Sequence, residues 1–405
     1  MRILVVSVCL GLAVAAIQQT RSPAGAELEN SQTRSHASWI SDRPGWSTAV
    51  GSSVRLHCPP DGLVGSSYPF GHKCQFAVNT WTTALTDTKR NRLYIWGGGH
   101  NDYYGNEIYI FDVTSGTTSR TDPYVPTAAD TGSTCRLELA PDVPNARHTY
   151  GAFVYVPDLD IAWAWGGIVA CAAGGGGTDT WHLDVANLEA GHAASWKRIS
   201  AKGTIPANIL SGATAAYDPN TRLIFVDNRQ GLFTYNPSTR TYKGVAETRA
   251  EALHTQAAID PKRKIWIKIG DGVKVRRSIA PGSNYSEAPL NMTGCSVLFR
   301  AASPGFVYDQ GEDRFVGWPN FGPTVYLYDP DTDSCTTMAF PDNAPSDACH
   351  DPSSRCPNTT GDFGKFAYFP SLRVFILFND GNFDGRALRL TPTGSIKVPL
   401  QPGHL

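Results

Sequence analysis

Apolar and polar positions in this chain follow a recurring hairpin pattern. An apolar run leads into a polar turn that usually contains Asp or Pro, and a basic residue then precedes a second apolar run. One example is residues 84–87 turning into 92–96, and another is residues 216–219 turning into 222–226. Short apolar runs rich in β-branched and aromatic residues, bounded by turn residues, predict antiparallel β-strands.

This hairpin recurs along most of the chain. A third apolar strand that ends in Asp or Asn often follows it, as at 108–112 and 180–184, and a fourth strand fits at 195–199. Four-stranded antiparallel units at a spacing of about 40–70 residues predict an all-β fold, the β-propeller. Six blades are countable. The segment 38–70 could form a seventh blade, or it could supply a strand that closes the last one. The alternative folds are a pair of β-sandwiches and a β-solenoid.

Composition agrees with this fold, and the N-terminus adds an export signal. The 405 residues include 39 glycines and 28 prolines, and only 18% are charged, which is typical of a turn-rich all-β protein. Met1-Arg2 followed by the apolar run 3–16 matches a secretory signal and is too short to span a membrane. We therefore divide the chain into a signal peptide and cleavage region at 1–26, a disordered linker at 27–38 and a single β-propeller domain at 39–405.

Charge and cysteine content indicate which partners and which cellular compartment to expect. The 35 basic and 36 acidic residues nearly balance, which disfavours nucleic acid and membrane surfaces as partners. We expect a secreted monomer, extracellular or periplasmic. Eight cysteines remain after the predicted signal, and an even number in an exported chain indicates disulfides. The simplest pairing joins neighbours, 58–74, 135–171, 295–335 and 349–356, although the sequence leaves other pairings open.

The side chains best suited to chemistry gather on one rim of the predicted propeller. In an antiparallel blade, the segment leading into the first strand and the loop between the second and third strands lie at the same end. His100 comes from such a loop, and His148 and His254 come from such leading segments. With nearby cations they predict a funnel for an anionic, hydroxyl-rich ligand such as a uronic-acid sugar. The predicted substrate-binding set is Asn101, Asp102, Tyr103, Trp81, Arg229, His254, Trp318, Asn320, Lys365 and Asn382.

Two stretches carry a family resemblance. The strand ends Gly97-Gly98-Gly99 and Gly166-Gly167 resemble the kelch-type repeat in the first two blades. The loop Gly-Gly-Gly-His-Asn-Asp-Tyr-Tyr-Gly-Asn-Glu at 97–107, with Arg147-His148-Thr149-Tyr150 and the secretory signal, resembles secreted propeller proteins that include ulvan lyase-type polysaccharide lyases.

That resemblance implies cleavage of a uronic-acid polysaccharide by β-elimination. A base must remove the proton next to the carboxylate, an acid must protonate the leaving oxygen, and the carboxylate must be neutralised. His100 or His148 could be the base, because imidazole titrates near neutral pH. Tyr150 or Tyr103 could be the acid, and Arg147, Arg229 or an asparagine could neutralise the carboxylate. The catalytic set is therefore His100, His148, Tyr150 and Arg147.

Other functions remain open on the same fold, because a propeller does not dictate an activity. The lyase chemistry requires no cofactor, although the histidines, or His100 with Asp102, could form a structural Ca or Zn site. A sialidase-like hydrolase needs more arginines than this rim offers, and a galactose oxidase-like site needs a cysteine that is free of disulfides. The alternative from another class is a non-catalytic carbohydrate-binding or kelch-type interaction propeller.

Overall fold

The repeated hairpins fold into four-stranded antiparallel sheets. The computed structural model describes residues 37–171, 175–191, 193–207, 212–345 and 360–392. Each hairpin turn is polar, and the strands on either side of it are largely buried on both faces, as in Arg92–Ile95 and Leu223–Asp227, because each sheet packs between two others. The strands are β1 (Gly45–Thr48), β2 (Ala84–Asp87), β3 (Arg92–Ile95), β4 (Tyr109–Asp112), β5 (Thr117–Arg120), β6 (Glu138–Ala140), β7 (Val143–Pro144), β8 (Arg147–His148), β9 (Phe153–Val156), β10 (Ile161–Trp165), β11 (Ile168–Val169), β12 (Thr180–Asp184), β13 (Trp196–Ile199), β14 (Lys202–Gly203), β15 (Thr214–Asp218), β16 (Leu223–Asp227), β17 (Gly231–Asn236), β18 (Thr241–Glu247), β19 (Gln256–Asp260), β20 (Ile265–Gly270), β21 (Val273–Ser278), β22 (Glu287–Pro289), β23 (Gly305–Asp309), β24 (Arg314–Trp318), β25 (Thr324–Asp329), β26 (Ser334–Ala339), β27 (Phe366–Phe369), β28 (Val374–Leu377) and β29 (Arg386–Arg389).

Helices in the described ranges are short, none longer than five residues. They are the 3₁₀ turns Val54–His57 and Leu63–Gly65, and α1 (Phe70–Lys73), α2 (Phe76–Asn79), α3 (Ala128–Thr131), α4 (Val185–Glu189) and α5 (Ser296–Arg300). Among the described residues, no helix has the length and apolar character needed to cross a bilayer.

Six of the sheets are arranged as the blades of a propeller, which confirms the predicted fold and settles the blade number. From the innermost strand outward they are β2-β3-β4-β5, β9-β10-β12-β13, β15-β16-β17-β18, β19-β20-β21-β22, β23-β24-β25-β26 and β27-β28-β29-β1. We number them blades 1 to 6. Their first strands lie side by side around a central channel, and a cavity of about 400 Å³ in this channel is lined by residues from all six.

Ring closure joins the two ends of the propeller. Strand β1 pairs antiparallel with β29, Gly45 opposite Arg389 and Thr48 opposite Arg386, so the N-terminal segment completes blade 6 and does not build a seventh blade. Closure of this kind removes exposed strand edges between the first and last sheets. Buried apolar side chains then fill each of the six blade interfaces, with one cluster between every pair of neighbouring sheets.

Three disulfides confirm the neighbour pairing as far as the described residues reach. They join Cys58 to Cys74, Cys135 to Cys171 and Cys295 to Cys335, with Cα–Cα distances of 5.3–5.6 Å. Such bonds persist in oxidising compartments, which fits an extracellular setting. The predicted 349–356 pair, the signal segment 1–26 and residues 27–36 lie outside the described residues.

Candidate active site

One end of the channel carries three of the predicted histidines. We call this end the mouth and define it by Trp81, His100, Asp102, His148, Tyr150, His254, Asp271 and Phe363. These residues come from segments leading into first strands or from loops between second and third strands. The opposite end, which we call the far rim, consists of the six turns between first and second strands.

The centre of the mouth is an Asp–His pair. The Nε2 atom of His148 lies 2.9 Å from Oδ2 of Asp102, and the His148 side chain is only 4% exposed. Because a carboxylate only accepts hydrogen bonds, Nε2–H is the donor and Nδ1 carries the lone pair. Nδ1 is buried and has no hydrogen-bond partner among the described residues.

Burial sets the charge state of His148. Removal from water lowers the pKa of the imidazole, while the hydrogen bond that it donates to Asp102 raises this pKa by a smaller amount. The net shift is downward, so the ring is neutral at neutral pH. In a neutral imidazole with Nε2 held by a carboxylate, the lone pair on Nδ1 can accept a proton from a group that reaches it, and in this structure Nδ1 is enclosed by its neighbours.

His100 lies beside this pair and is exposed. Its ring is stacked near that of His148, with centroids 6.1 Å apart. The backbone of the loop is fixed by hydrogen bonds from His100 N–H to the Val169 carbonyl and from Cys171 N–H to the His100 carbonyl, at 3.0 and 2.9 Å. Glycine is required at position 99 for the loop to lie this close to the His148 backbone. A Cβ on residue 99 would lie 2.2 Å from the backbone nitrogen of His148, and the φ of Gly99 is +86°.

A second Asp–His pair faces the first across the mouth. His254 Nδ1 lies 2.9 Å from Asp271 Oδ2, and its Nε2 lies 3.1 Å from the indole Nε1 of Trp81. The Trp81 ring in turn lies 5.0 Å from the His148 ring, centroid to centroid. The two imidazoles are therefore connected through one indole.

A chain of aromatic contacts connects His148 to His254 through Tyr150 and Phe363. Tyr150 lies 5.9 Å from Phe363 and 6.2 Å from His148, and Phe363 lies 6.3 Å from His254, all between ring centroids. Tyr150 and Phe363 both have positive φ, +49° and +47°, a backbone conformation that is uncommon for bulky residues and frequent at functional sites. The cavity below is lined at its upper end by Gly151 and Gly364, the residues that follow them.

Two predicted cations do not reach the mouth. Arg147 is fully buried and forms an ion pair with Asp179 at 3.0 Å, and its guanidinium also lies over the rings of Trp96 and Trp181. Lys365 is fully buried, and its Nζ donates to two backbone carbonyls of blade 1. Both side chains therefore join segments of the fold in this structure and leave the mouth with less positive charge than the sequence indicated.

Two predicted aromatic contacts also lie in the interior. Tyr103 is fully buried and its hydroxyl donates to Glu107, while Trp318 donates from Nε1 to the Gly322 carbonyl at 3.0 Å and packs against Trp46. Both are core residues of the blades they occupy.

The remaining predicted residues lie on loops of the same side. Asn101 and Asn382 are exposed, Asn101 accepting from the Tyr104 hydroxyl. Asn320 donates to the Ser303 carbonyl, and Ser303 N–H donates to the His254 carbonyl, so Asn320 supports the loop beneath His254. Arg229 is 26% exposed, and its guanidinium lies 3.8 Å from the carboxylate of Glu251.

Sequence reasoning left Asp271 and Phe363 out of the site. A signal existed for Asp271, because it occupies the loop between second and third strands in blade 4 as Asp102 does in blade 1. Phe363 precedes a first strand, as Tyr150 does, but an apolar residue there gave no reason to separate it from the core.

Within the described ranges, no group of three or more His, Cys, Asp and Glu side chains is placed to hold a metal ion. Comparison with protein-family models and with curated proteins finds no match for this chain.

Proposed function

We propose that this protein is a secreted polysaccharide lyase that cleaves an anionic, uronic-acid-containing polysaccharide by β-elimination. The observation that carries the proposal is the Asp102–His148 pair, in which the imidazole is buried and its Nδ1 has no partner among the described residues. A buried, neutral imidazole oriented by a carboxylate is suited to remove a proton from carbon.

The proposed reaction uses acid–base chemistry of the chain's own side chains. The bond between hydrogen and the carbon bearing the carboxylate breaks, and the proton passes to His148 Nδ1. The electron pair forms a carbon–carbon double bond as the neighbouring glycosidic carbon–oxygen bond breaks. The leaving oxygen takes a proton from Tyr150, whose ring lies 6.2 Å from that of His148, or from His100.

Substrate recognition is assigned to the groups that remain accessible. Trp81 is half-buried and offers an aromatic face for a sugar ring. Because Arg147 and Lys365 are buried, Arg229 and the exposed Asn101 are the proposed partners of the substrate carboxylate. Developing negative charge on that carboxylate is what these donors would stabilise.

The test is a screen of acidic polysaccharides, followed by ultraviolet absorbance of the unsaturated product. The matched control is each polysaccharide after chemical reduction of its carboxylates to alcohols, which removes the acidifying group. We expect absorbance to rise with the native polymer alone. Equal product from both forms, or products without a double bond, would rule out elimination.

A second candidate is a carbohydrate-binding propeller without catalysis. It is favoured by the second Asp–His pair, because both nitrogens of His254 already have partners, and by the burial of two of the predicted cations. Retained affinity for a glycan with no cleavage of any polymer in the screen would select this alternative.

A further inference from the structure

The hydrogen bond between Trp81 and His254 spans the channel axis. Trp81 lies in the segment before β2 of blade 1, and His254 lies before β19 of blade 4. In a ring of six blades, blades 1 and 4 are opposite each other. The 3.1 Å contact from the indole Nε1 to His254 Nε2 therefore links the segments that lead into two opposite blades.

The donors and acceptors of this link have one assignment. The indole N–H is a donor only, so Nε2 of His254 must be the acceptor and the proton of the neutral ring must be on Nδ1. Nδ1–H then donates to Oδ2 of Asp271 at 2.9 Å, and the same carboxylate oxygen accepts from the His254 backbone N–H at 3.0 Å. Asp271 thus fixes both the tautomer and the orientation of the ring.

The backbone around Asp271 is built for this contact. Gly270 has a φ of +123°, and a Cβ there would lie 2.4 Å from the His254 carbonyl oxygen, so only glycine lets the loop lie so close. Asp271 itself has a φ of +50°, and its N–H donates to the Ala301 carbonyl at 3.0 Å. The loop is therefore held against the His254 segment on both sides.

We propose that Asp271 and His254 are positioning residues that hold the indole of Trp81 against His148. The Trp81 and His148 rings lie 5.0 Å apart, centroid to centroid, so the indole forms one wall beside the proposed base, and its orientation sets the shape of that wall. His254 is not assigned a catalytic role, because both of its ring nitrogens are already hydrogen-bonded. The effect on catalysis rests on the proposed function, whereas the effect on the indole does not.

Two substitutions of His254 separate hydrogen bonding from packing. His254→Phe keeps a ring but loses the acceptor, and His254→Gln places an amide oxygen close to where Nε2 lies. The probe is the Trp81 indole N–H resonance in protein NMR spectra, assigned with Trp81→Phe. We expect this signal to move upfield and exchange faster with solvent in His254→Phe, and to stay near its wild-type position in His254→Gln.

Asp271→Ala serves as a second variant should His254→Phe fail to fold. It leaves the imidazole in place but frees its tautomer, so the indole signal should broaden or split. An indole signal that is unchanged in the folded Phe and Ala variants, or that moves as far in His254→Gln as in His254→Phe, overturns the proposal.

Activity supplies the second measurement. On a polysaccharide that the wild type cleaves, His254→Phe should lower kcat by about tenfold, the scale of one lost hydrogen bond, with KM changed less than about twofold. Trp81→Phe should lower kcat by the same factor, and the double variant should lower kcat no further than either single variant does. If the wild type cleaves no polymer, the proposed function fails while the indole signal still decides the positioning.

Discussion

At the far rim every buried carboxylate among the described residues has a hydrogen-bond partner, whereas at the mouth His148 keeps a ring nitrogen with none. Arg90 at the far rim pairs with Asp87 of its own blade and with Asp160 of the next, which holds the pKa of Asp160 well below its usual range. Arg263 repeats the arrangement with Asp260 of blade 4 and Asp313 of blade 5. These networks join neighbouring blades and leave little for a ligand to bind.

The backbone shows the same contrast. Each far-rim hairpin places one positive-φ residue directly before its second strand, and the set is Asn91, Asp160, Arg222, Lys264, Asp313 and Arg373. At the mouth, positive φ falls on His100, Tyr150, Asp271 and Phe363, of which Tyr150 and Phe363 each lie three residues before a first strand. The far-rim residues mark a turn that all six blades share, whereas each mouth position is used by only some of the blades.

The largest effect on activity is expected from removing the proposed base at the mouth. His148→Gln should lower kcat/KM on a cleaved polysaccharide by at least about 100-fold, because the proton acceptor is lost. His182→Gln is the matched control, since His182 is also largely buried and bonds the Tyr235 hydroxyl, but it lies on a third strand. Activity of His148→Gln within about threefold of the control would contradict the assignment of His148 as the base.

Two disulfides of similar loop length allow a comparison between a bridge next to the mouth and a bridge elsewhere in the fold, in both stability and activity. Removing Cys135–Cys171 or Cys295–Cys335 by paired alanine substitutions should each cost about 2–4 kcal/mol in the free energy of unfolding, since both close loops of similar length, 36 and 40 residues. Only the loss of Cys135–Cys171 should also lower the activity per folded molecule, because Cys171 N–H donates to the carbonyl of His100. Urea unfolding and initial rates on the same samples measure both; equal loss of activity in the two variants would argue against the link to His100.

Far-rim ion pairs should matter for stability and not for activity. Arg263→Met leaves Asp260, Asp313 and Asp331 without their shared partner and should cost about 2 kcal/mol in the free energy of unfolding. Arg222→Met is the control, because that side chain is 77% exposed and forms one ion pair, with Asp158, within the described part of the chain, so its loss should cost under about 1 kcal/mol in the free energy of unfolding. Similar losses of unfolding free energy in the two variants would mean that the far-rim network stabilises the fold no more than one exposed ion pair does.

The smallest expected effect is a shift in pH dependence. Because burial lowers the pKa of His148, activity should fall only as pH drops below the usual imidazole value of about 6.5. Asp102 raises that pKa, so Asp102→Asn should move the acidic limb of the kcat/KM profile to still lower pH. A limb that moves upward in this variant would show that another group controls the profile.

Local pattern was enough to predict the scaffold. Hairpins such as 84–96 were visible because strand, turn and strand are contiguous, and an apolar run bounded by turn residues can be recognised from neighbouring residues alone. The six countable blades and the antiparallel pairing came from that pattern, and the three described disulfides match the simplest pairing, neighbour with neighbour. The closing strand at Gly45–Thr48 was one of two alternatives, and the choice needed the pairing with β29, more than 330 residues away.

The sequence by itself therefore determined the ring of sheets and the rim on which His100, His148 and His254 meet. Only the tertiary structure decided which side chains at that rim face outward. Arg147 and Lys365 look like ligand-binding cations in sequence, yet Asp179 and the carbonyls of blade 1 hold them inside. Long side chains take their direction from partners distant in the chain, and burial of a charge is stable only where those partners exist.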